Sequence, residues 1–163
     1  GIGFAIATAM ANCGATIVFN DIKQELVDKG LAAYKEAGIE AHGYVCDVTN
    51  EDAVNEMVKK ITAEVGHINV LVNNAGILPK FKRFDRYSDE EIERAININF
   101  YSCVYSVKTF LPMLLQSTDP GIVNIDSSDT IHDHGCIHTG KINVTAAKIN
   151  CSLPCITQED GTV

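Results

Sequence analysis

The sequence predicts an α/β fold, a doubly wound parallel sheet with helices on both faces. Two observations carry this prediction. Segments with strand character alternate with segments of helical periodicity, and each strand is apolar throughout instead of alternating apolar with polar side chains. A strand that is apolar on both faces is typical of a parallel sheet buried between two helix layers. The 163 residues suffice for one domain with its own core.

Four strands and four helices follow from periodicity and capping signals, in the order helix, strand, helix, strand, helix, strand, helix, strand. The strands are predicted at 15–20, 42–46, 68–72 and 121–125, and the helices at 3–13, 24–37, 51–65 and 89–114. Gly14 and Gly38 stand where the first two helices should stop. Thr49 with Asp52, and Ser88 with Glu91, have the spacing of capping boxes at the next two helix starts.

Residues 129–163 show no clean period, and Pro154 interrupts any helix after residue 142. We therefore expect one domain, 1–163, whose last part is of uncertain structure.

Composition excludes several functional classes. The net charge of −8 argues against nucleic acid or an anionic membrane surface as the main partner. No apolar run approaches the roughly 20 residues needed to span a bilayer, and no signal peptide is recognisable. The six cysteines are scattered, without the paired spacing of a metal site, which indicates reduced thiols, no bound metal and a cytoplasmic location.

Polar and glycine residues follow the predicted strands, at the edge of the sheet where doubly wound folds bind their ligands. They are Gly1 and Gly3 at the start of the first helix, then Asp21, Asp47, the run Asn73–Asn74–Ala75–Gly76, and Ser127 with Ser128. Glycines at a helix start let backbone N–H groups reach a phosphate. An acidic residue about 20 positions later can bond the ribose hydroxyls of a dinucleotide. The alternatives are a tight turn for the glycines, a solvated turn residue for Asp21 and a helix cap for Asp47.

Four motifs together resemble the short-chain dehydrogenase/reductase family: "GIG" at 1–3, "CDV" at 46–48, "LVNNAG" at 71–76 and "VNIDSS" at 123–128. The resemblance covers about residues 1–128 and implies a Rossmann-like sheet and NAD(P)-dependent oxidoreductase chemistry. Residues 14–49 are most similar to gluconate 5-dehydrogenases. That similarity implies hydride transfer between a nicotinamide and an alcohol or ketone of a sugar acid or polyol.

The resemblance also implies roles for particular residues. The cofactor-binding positions would be Gly1, Ile2, Gly3, Asp21, Asp47, Val48, Asn74, Ala75 and Gly76. A carboxylate at Asp21 favours NAD over NADP, because it repels a 2′-phosphate. Asn99 would match the helix asparagine of the proton relay, Ser127 the serine that bonds the reacting oxygen, and Lys148, or alternatively Lys141, the ribose-binding lysine. A polar helix-surface residue and a simple cap are the alternatives for Asn99 and Ser127.

The family's catalytic Y-x-x-x-K motif is incomplete. The tyrosine should stand about 13 residues after Ser127, where this chain has Gly140, and no tyrosine occurs after Tyr105. Using Lys148 or Lys141 places Val144 or Ile137 at the tyrosine position. His138, three residues before Lys141, could in principle move the proton.

The family's first strand, which lies between the strands predicted at 15–20 and 68–72, is absent from this sequence, as are its later strands. We therefore expect a fragment, a truncated gene model or a degenerate copy, in which the edges of those two strands lack partners.

The sequence leaves three functional hypotheses. One is an NAD-dependent oxidoreductase, inactive in this form, whose intact parent acts on a small molecule as a homo-oligomer. The second is a nucleotide-binding module without catalysis, and the third is a non-functional truncated product.

Overall fold

The computed structural model of the protein describes residues 1–80 and 82–125, and these residues form an α/β arrangement. The helices are α1 (Ile2–Asn12), α2 (Gln24–Glu36), α3 (Glu51–Glu64), α4 (Asp89–Ile96) and α5 (Ser102–Leu114). The strands are β1 (Ile17–Asp21), β2 (Ala41–Val45), β3 (Val70–Asn73) and β4 (Gly121–Asn124). Each predicted helix and strand is present, with ends that differ by two residues or fewer, apart from an interruption between α4 and α5. Predictions for residues 126–163 lie outside the described residues.

The strands pair in parallel, as predicted, but in two separate two-stranded sheets. β1 pairs with β2 in the register Ile17 to Ala41, and β3 pairs with β4 in the register Val70 to Gly121. β1 and β3 are not hydrogen-bonded to each other. Among the described residues, both strands therefore have one unpartnered edge, as the sequence led us to expect.

Capping explains where the helices begin and end, with one correction to the prediction. The Ser88–Glu91 capping box is confirmed. The Thr49 cap is wrong: Asn50 is the N-cap of α3, and its side chain accepts a hydrogen bond from the Ala53 N–H at 3.1 Å. The Thr49 hydroxyl instead donates to Asp47 Oδ1 at 2.7 Å. A short amide side chain at the cap position satisfies an orphan N–H as well as a hydroxyl does.

Glycine ends α1 and α2, as the sequence predicted. Gly14 and Gly38 follow these helices with φ of +89° and +72°. Gly66 follows α3 with φ of +99°. At such values a side chain would be strained, so these positions favour glycine.

The helix predicted over 89–114 is interrupted by one wide turn. Residues Asn97–Tyr101 form a π-helical segment between α4 and α5. Such segments are frequent at functional sites, because the extra residue per turn rotates the following side chains. Pro112 lies inside α5 without ending it.

The main core lies on one face of the strands, under α3 and α5. Its most buried members are Val54, Ile61 and Leu114, each at most 1% exposed. Val18, Leu71 and Ile122, from β1, β3 and β4, pack against this cluster, which also contains Tyr44 of β2. The core therefore joins the two strand pairs although their backbones do not meet.

The opposite face is covered by α1 and α2. The ring of Tyr34 lies 4.7 Å from that of Phe4 and 5.1 Å from that of Phe19, measured between centroids, and so ties both helices to β1. None of the residues of α1 is buried. Among residues 1–80 and 82–125, no helix has both the length and the apolar character needed to cross a bilayer.

Candidate functional site

A cavity of about 1400 Å³ lies between the two strand pairs. It extends from the strands to the loops at their carboxyl ends, and α1 and α5 contribute to its walls. All the cofactor-binding positions predicted from sequence line it: Gly1, Ile2, Gly3, Asp21, Asp47, Val48, Asn74, Ala75 and Gly76. The fold thus brings together residues that are spread over 76 positions of the chain.

The start of α1 opens into this cavity. The first hydrogen bond of the helix runs from the Ala5 N–H to the Gly1 carbonyl at 3.1 Å, so the N–H groups of residues 2–4 have no partner within the helix. Unpaired N–H groups and the helix dipole attract anions such as phosphate.

Gly3 lies close to the side chain of Asn74. A Cβ atom at Gly3 would lie 2.8 Å from the Asn74 Nδ2 atom. The absence of a side chain therefore lets the start of α1 lie directly against the loop after β3.

Asp21 is the last residue of β1, and its carboxylate makes only a local contact among the described residues. Its Oδ1 atom accepts a hydrogen bond from the N–H of Ile22 at 2.7 Å. The carboxylate is partly exposed at the cavity wall, and a hydroxyl group of a ligand can approach it. Ile22 beside it provides no positive charge.

Asp47 organises the loop after β2. Its Oδ1 atom accepts hydrogen bonds from the Thr49 N–H at 3.0 Å and from the Thr49 hydroxyl. This arrangement differs from a helix cap, because Asn50 caps α3. Asp47 shapes the wall of the cavity without closing it.

The two asparagines that end β3 have different surroundings. The side chain of Asn73 is buried and donates a hydrogen bond from Nδ2 to Asn124 Oδ1 at 2.8 Å, which links β3 to β4. Asn74 is exposed, lines the cavity and contacts Gly3. The first amide therefore satisfies a partner inside the sheet, and the second remains available to a ligand.

Asn99 holds the segment that follows β3. Its Oδ1 atom accepts a hydrogen bond from the Ile77 N–H at 2.8 Å, and its Nδ2 atom donates to the Ile77 carbonyl at 2.9 Å. Asn99 therefore fixes the backbone next to the cavity, and it is not simply a polar residue on a helix surface. Asn99 itself does not line the cavity, whereas Asn97 and Ile98 do.

The remaining predicted positions, Ser127, Lys141 and Lys148, lie outside the described residues, as does His138.

Sequence reasoning missed two parts of the site. Arg94 of α4 lines the cavity and is the only lysine or arginine among its described lining residues. Ile77 takes part through its backbone, which Asn99 binds. Arg94 could have been found from the helix that opens at Ser88, but nothing in a single sequence shows which side of that helix faces the cavity.

The thiols near the site are poor nucleophiles. Burial, with a smaller contribution from the charge of Asp47, raises the pKa of the Cys46 thiol, and burial raises the pKa of Cys103. A thiol with a raised pKa is mostly protonated at neutral pH. Over residues 1–80 and 82–125, no group of three or more histidine, cysteine or acidic residues could hold a metal ion.

Parallel strands wound by helices, a glycine-containing helix start and a cavity at the carboxyl ends define a dinucleotide-binding fold of the Rossmann type. The model of the short chain dehydrogenase family matches residues 1–137. The chain belongs to that family.

Two similar proteins share one substrate name. The crystal structure of 2-keto-3-deoxy-D-gluconate dehydrogenase from Streptococcus agalactiae is 54% identical, with a TM-score of 0.70, and the match covers 78% of this chain and 47% of that one. The 2-dehydro-3-deoxy-D-gluconate 5-dehydrogenase of Formosa agariphila is 46% identical over 81 residues, which are 49% of this chain and 31% of that protein.

The crystal structure of an NAD⁺-bound xylitol dehydrogenase is 33% identical with a TM-score of 0.71, and the match covers 76% of this chain and 47% of that one. Other solved relatives include a complex with NADP, so the family uses either nicotinamide cofactor. The chain spans about half, or less, of the length of these relatives.

Proposed function

We propose that this chain carries the nucleotide-binding part of an oxidoreductase that transfers hydride between NAD and an alcohol or ketone of a sugar acid. The observation that carries the proposal is that the nine positions assigned by family resemblance all line one cavity. The two relatives named for 2-keto-3-deoxy-gluconate support the substrate class.

The residues around the cavity fit a dinucleotide. The free N–H groups at the start of α1 would bind the pyrophosphate. Asp21 would accept hydrogen bonds from the adenosine ribose, while Asn74, Ala75 and Gly76 would border the rest of the cofactor. A bound nicotinamide supplies the hydride chemistry. Asn99 would act as a positioning residue, by fixing the backbone of Ile77.

Asp21 is the basis for proposing NAD over NADP. A 2′-phosphate beside this carboxylate would place two like charges together in the partly exposed wall of the cavity. Among the described residues, the Asp21 side chain is hydrogen-bonded by the Ile22 N–H, and no lysine or arginine neutralises its charge.

The proposal for the chain as it stands is that it binds the nucleotide cofactor but does not catalyse hydride transfer, since no tyrosine follows Tyr105. A non-catalytic nucleotide-binding module is therefore the second candidate function, and the missing tyrosine is the observation that favours it. Catalytic roles for Ser127 and for Lys148 or Lys141 remain part of the proposal.

The proposal includes a cytoplasmic location and assembly into homo-oligomers. The thiols of Cys46 and Cys103, which form no disulfide, support a reducing compartment. Val104, Leu111 and Leu115 form an exposed apolar stripe along α5, which supports self-association. Light scattering of the purified chain gives its oligomeric state directly.

Titration with NAD and NADP, followed by intrinsic fluorescence or calorimetry, tests the cofactor proposal. We expect NAD to bind more tightly than NADP. We expect Asp21→Ala to bring the two dissociation constants closer together, because the substitution removes the carboxylate that repels the 2′-phosphate of NADP. Asp28→Ala is a matched control, since Asp28 is an exposed carboxylate on α2 that does not line the cavity. Equal or tighter binding of NADP by the unmodified chain would refute the role of Asp21.

A further inference from the structure

The π-helical turn between α4 and α5 changes which carbonyl the backbone of Ser102 binds. The Ser102 N–H donates to the carbonyl of Asn97, five residues back. In an α-helix the same N–H would donate to the carbonyl of Ile98, four residues back. The π-helical turn therefore deprives the Ile98 carbonyl of the N–H donor that a regular helix would provide.

The side chain of Ser102 binds the carbonyl that its own N–H has left. Its hydroxyl donates to the Ile98 carbonyl at 2.6 Å, and Ser102 is only 3% exposed. One position later, the thiol of Cys103 makes a weaker contact of the same kind, at 3.8 Å, with the Asn99 carbonyl. An unpaired carbonyl in a partly buried position costs free energy, and the Ser102 hydroxyl removes that cost from the turn.

Hydroxyl bonds of this kind also occur in regular helices of the chain. Thr8 in α1 and Thr62 in α3 donate to the carbonyls of Phe4 and Val58, four residues back, and both helices remain α-helical there. The hydroxyl alone therefore does not produce a π-helical turn. Ser102 differs because its N–H bonds another carbonyl, so that its hydroxyl replaces the N–H as the donor four residues back.

The π-helical turn sets the angle at which Asn99 faces the segment after β3. Core contacts of Phe110 and Leu114 fix α5, which follows the turn. A change to the α-helical bonding pattern would rotate the residues before Ser102 by about 100° relative to α5, the angle that one residue occupies in a helix. Asn99 bonds both the N–H and the carbonyl of Ile77, at 2.8 and 2.9 Å, and this pair of bonds tolerates little rotation.

We propose that Ser102 is a positioning residue for the nucleotide site, because its hydroxyl stabilises the π-helical turn that keeps the Asn99 amide on the backbone of Ile77. Ile77 follows Ala75 and Gly76, two of the proposed cofactor positions. A cofactor that borders this segment meets a backbone already held in place, so less ordering is required on binding. The contribution to cofactor binding rests on the proposed function, whereas the connection from Ser102 through Asn99 to Ile77 does not.

Amide hydrogen exchange at Ile77, measured by NMR on the full chain without nucleotide, tests the proposal. We expect Ser102→Ala to raise the exchange rate of the Ile77 amide about tenfold relative to that of the Met57 amide, because the bond from Ile77 to Asn99 opens more often. Met57 lies within α3, and its amide reports any loss of stability of the whole fold.

Ser106→Ala is the matched control. Ser106 is a second buried serine of α5, 6% exposed, and it lies outside the π-helical segment. We expect Ser106→Ala to leave the relative exchange rate of Ile77 within about twofold of that of the unmodified chain. The comparison separates loss of the hydroxyl at the turn from loss of a buried serine hydroxyl in general.

A combination with Asn99→Ala shows whether Ser102 acts through Asn99. Asn99→Ala removes the partner of the Ile77 amide and should raise its exchange rate, and the addition of Ser102→Ala should then raise it no further. An Ile77 rate that is unchanged by Ser102→Ala, or raised equally by Ser106→Ala, would overturn the proposal. An undiminished effect of Ser102→Ala in the Asn99→Ala background would overturn it as well.

Titration with NAD tests the contribution to cofactor binding. We expect Ser102→Ala to raise the dissociation constant of NAD about three- to tenfold. A dissociation constant that Ser102→Ala leaves unchanged would overturn the positioning role. If the unmodified chain binds no NAD, that result counts against the proposed function alone, and the exchange rates measured without nucleotide still decide whether Ser102 holds Asn99 on Ile77.

Discussion

The asparagines of this protein show how one residue type serves two purposes at a site. Asn73 and Asn99 use their amides within the protein, on Asn124 and on the backbone of Ile77 respectively. A buried amide costs free energy unless it is paired, and these pairings provide the partners. Asn74 is exposed and adjoins Gly3, so its amide is available to a ligand.

Tyr44 provides a test of stability against pH at the residue scale. Burial, with a hydrogen bond to Glu64 at 2.7 Å, raises the pKa of Tyr44 to about 12. A pKa that is higher in the folded state stabilises the fold below the unfolded value of about 10, and this stabilisation is lost as pH rises from about 10 to about 12. We expect Tyr44→Phe to be destabilising at pH 8 and to have a smaller effect at pH 11.

Urea unfolding of the unmodified protein and the Tyr44→Phe variant at pH 8, 9, 10 and 11 measures this difference. Tyr105→Phe is the control, because Tyr105 is a half-buried ring that stacks on Tyr101. A destabilisation by Tyr44→Phe that stays constant across this range would show that folding does not raise the pKa of Tyr44.

At the scale of the elements, α5 joins two kinds of surface. Its inner side supplies Phe110, Met113 and Leu114 to the core, whereas Leu111 and Leu115 remain exposed at 41% and 71%. Helical periodicity predicts such a division, with apolar residues three or four apart on the buried side. Helical periodicity does not explain why the outward-facing side also carries leucines. The proposed self-association would account for these exposed leucines.

Leu114→Ala and Leu111→Ala form a matched pair on this one helix. Leu114 is 1% exposed and Leu111 is 41% exposed. We expect Leu114→Ala to lower the free energy of unfolding by about 2–5 kcal/mol, since it removes buried methyl groups and leaves a cavity. Leu111→Ala should change it by under about 1 kcal/mol, because little apolar surface is returned to water.

Denaturant unfolding at a protein concentration where both variants are monomeric gives these values. Similar losses for the two monomeric variants would show that Leu111 packs within the chain, which would contradict its assignment to the exposed side of α5.

For the whole molecule, binding and catalysis depend on different parts of the chain. The described residues place the proposed cofactor positions around one cavity, whereas the proposed catalytic serine and lysines belong to residues beyond 125. No tyrosine follows Tyr105, so the family's Y-x-x-x-K motif is incomplete whether Gly140, Val144 or Ile137 stands at the tyrosine position. The proposal of binding without catalysis therefore concerns two separate parts of the chain.

We expect no appreciable turnover by the chain, even with substrate and NAD in excess. Positioned general acid–base catalysis contributes about 10²–10⁴-fold, and an unassisted serine hydroxyl is too weak an acid to replace a tyrosine with a lowered pKa. Absorbance of reduced nicotinamide, followed with gluconate and a small panel of polyols and ketones, measures the rate.

Turnover that disappears in His138→Ala would identify this histidine as the proton-transfer group and would contradict the prediction. Turnover that is unaffected by changes to His138, Lys141 and Lys148 would show that the catalytic site lies elsewhere.

The sequence by itself determined the identity, order and parallel direction of the described strands, and most of the helix ends. These features depend on local properties: periodicity, glycine at positive φ and side-chain caps. The Thr49 cap failed because two neighbouring residues, Thr49 and Asn50, were both suitable and only the backbone geometry distinguishes them. The nine proposed cofactor positions were assigned from the family resemblance, and the structure shows only that all nine line one cavity.

Only the tertiary structure decided which of those residues are partners. The bond from Asn73 to Asn124 joins residues 51 positions apart, and the pairing of Asn99 with Ile77 depends on a π-helical turn that no local pattern shows. The unpartnered edges of β1 and β3 were expected from the sequence, but only the structure shows that residues of both strands line one cavity. These contacts form only when the helix and strand layers pack against each other. That packing is driven by the burial of apolar faces that are far apart in the chain.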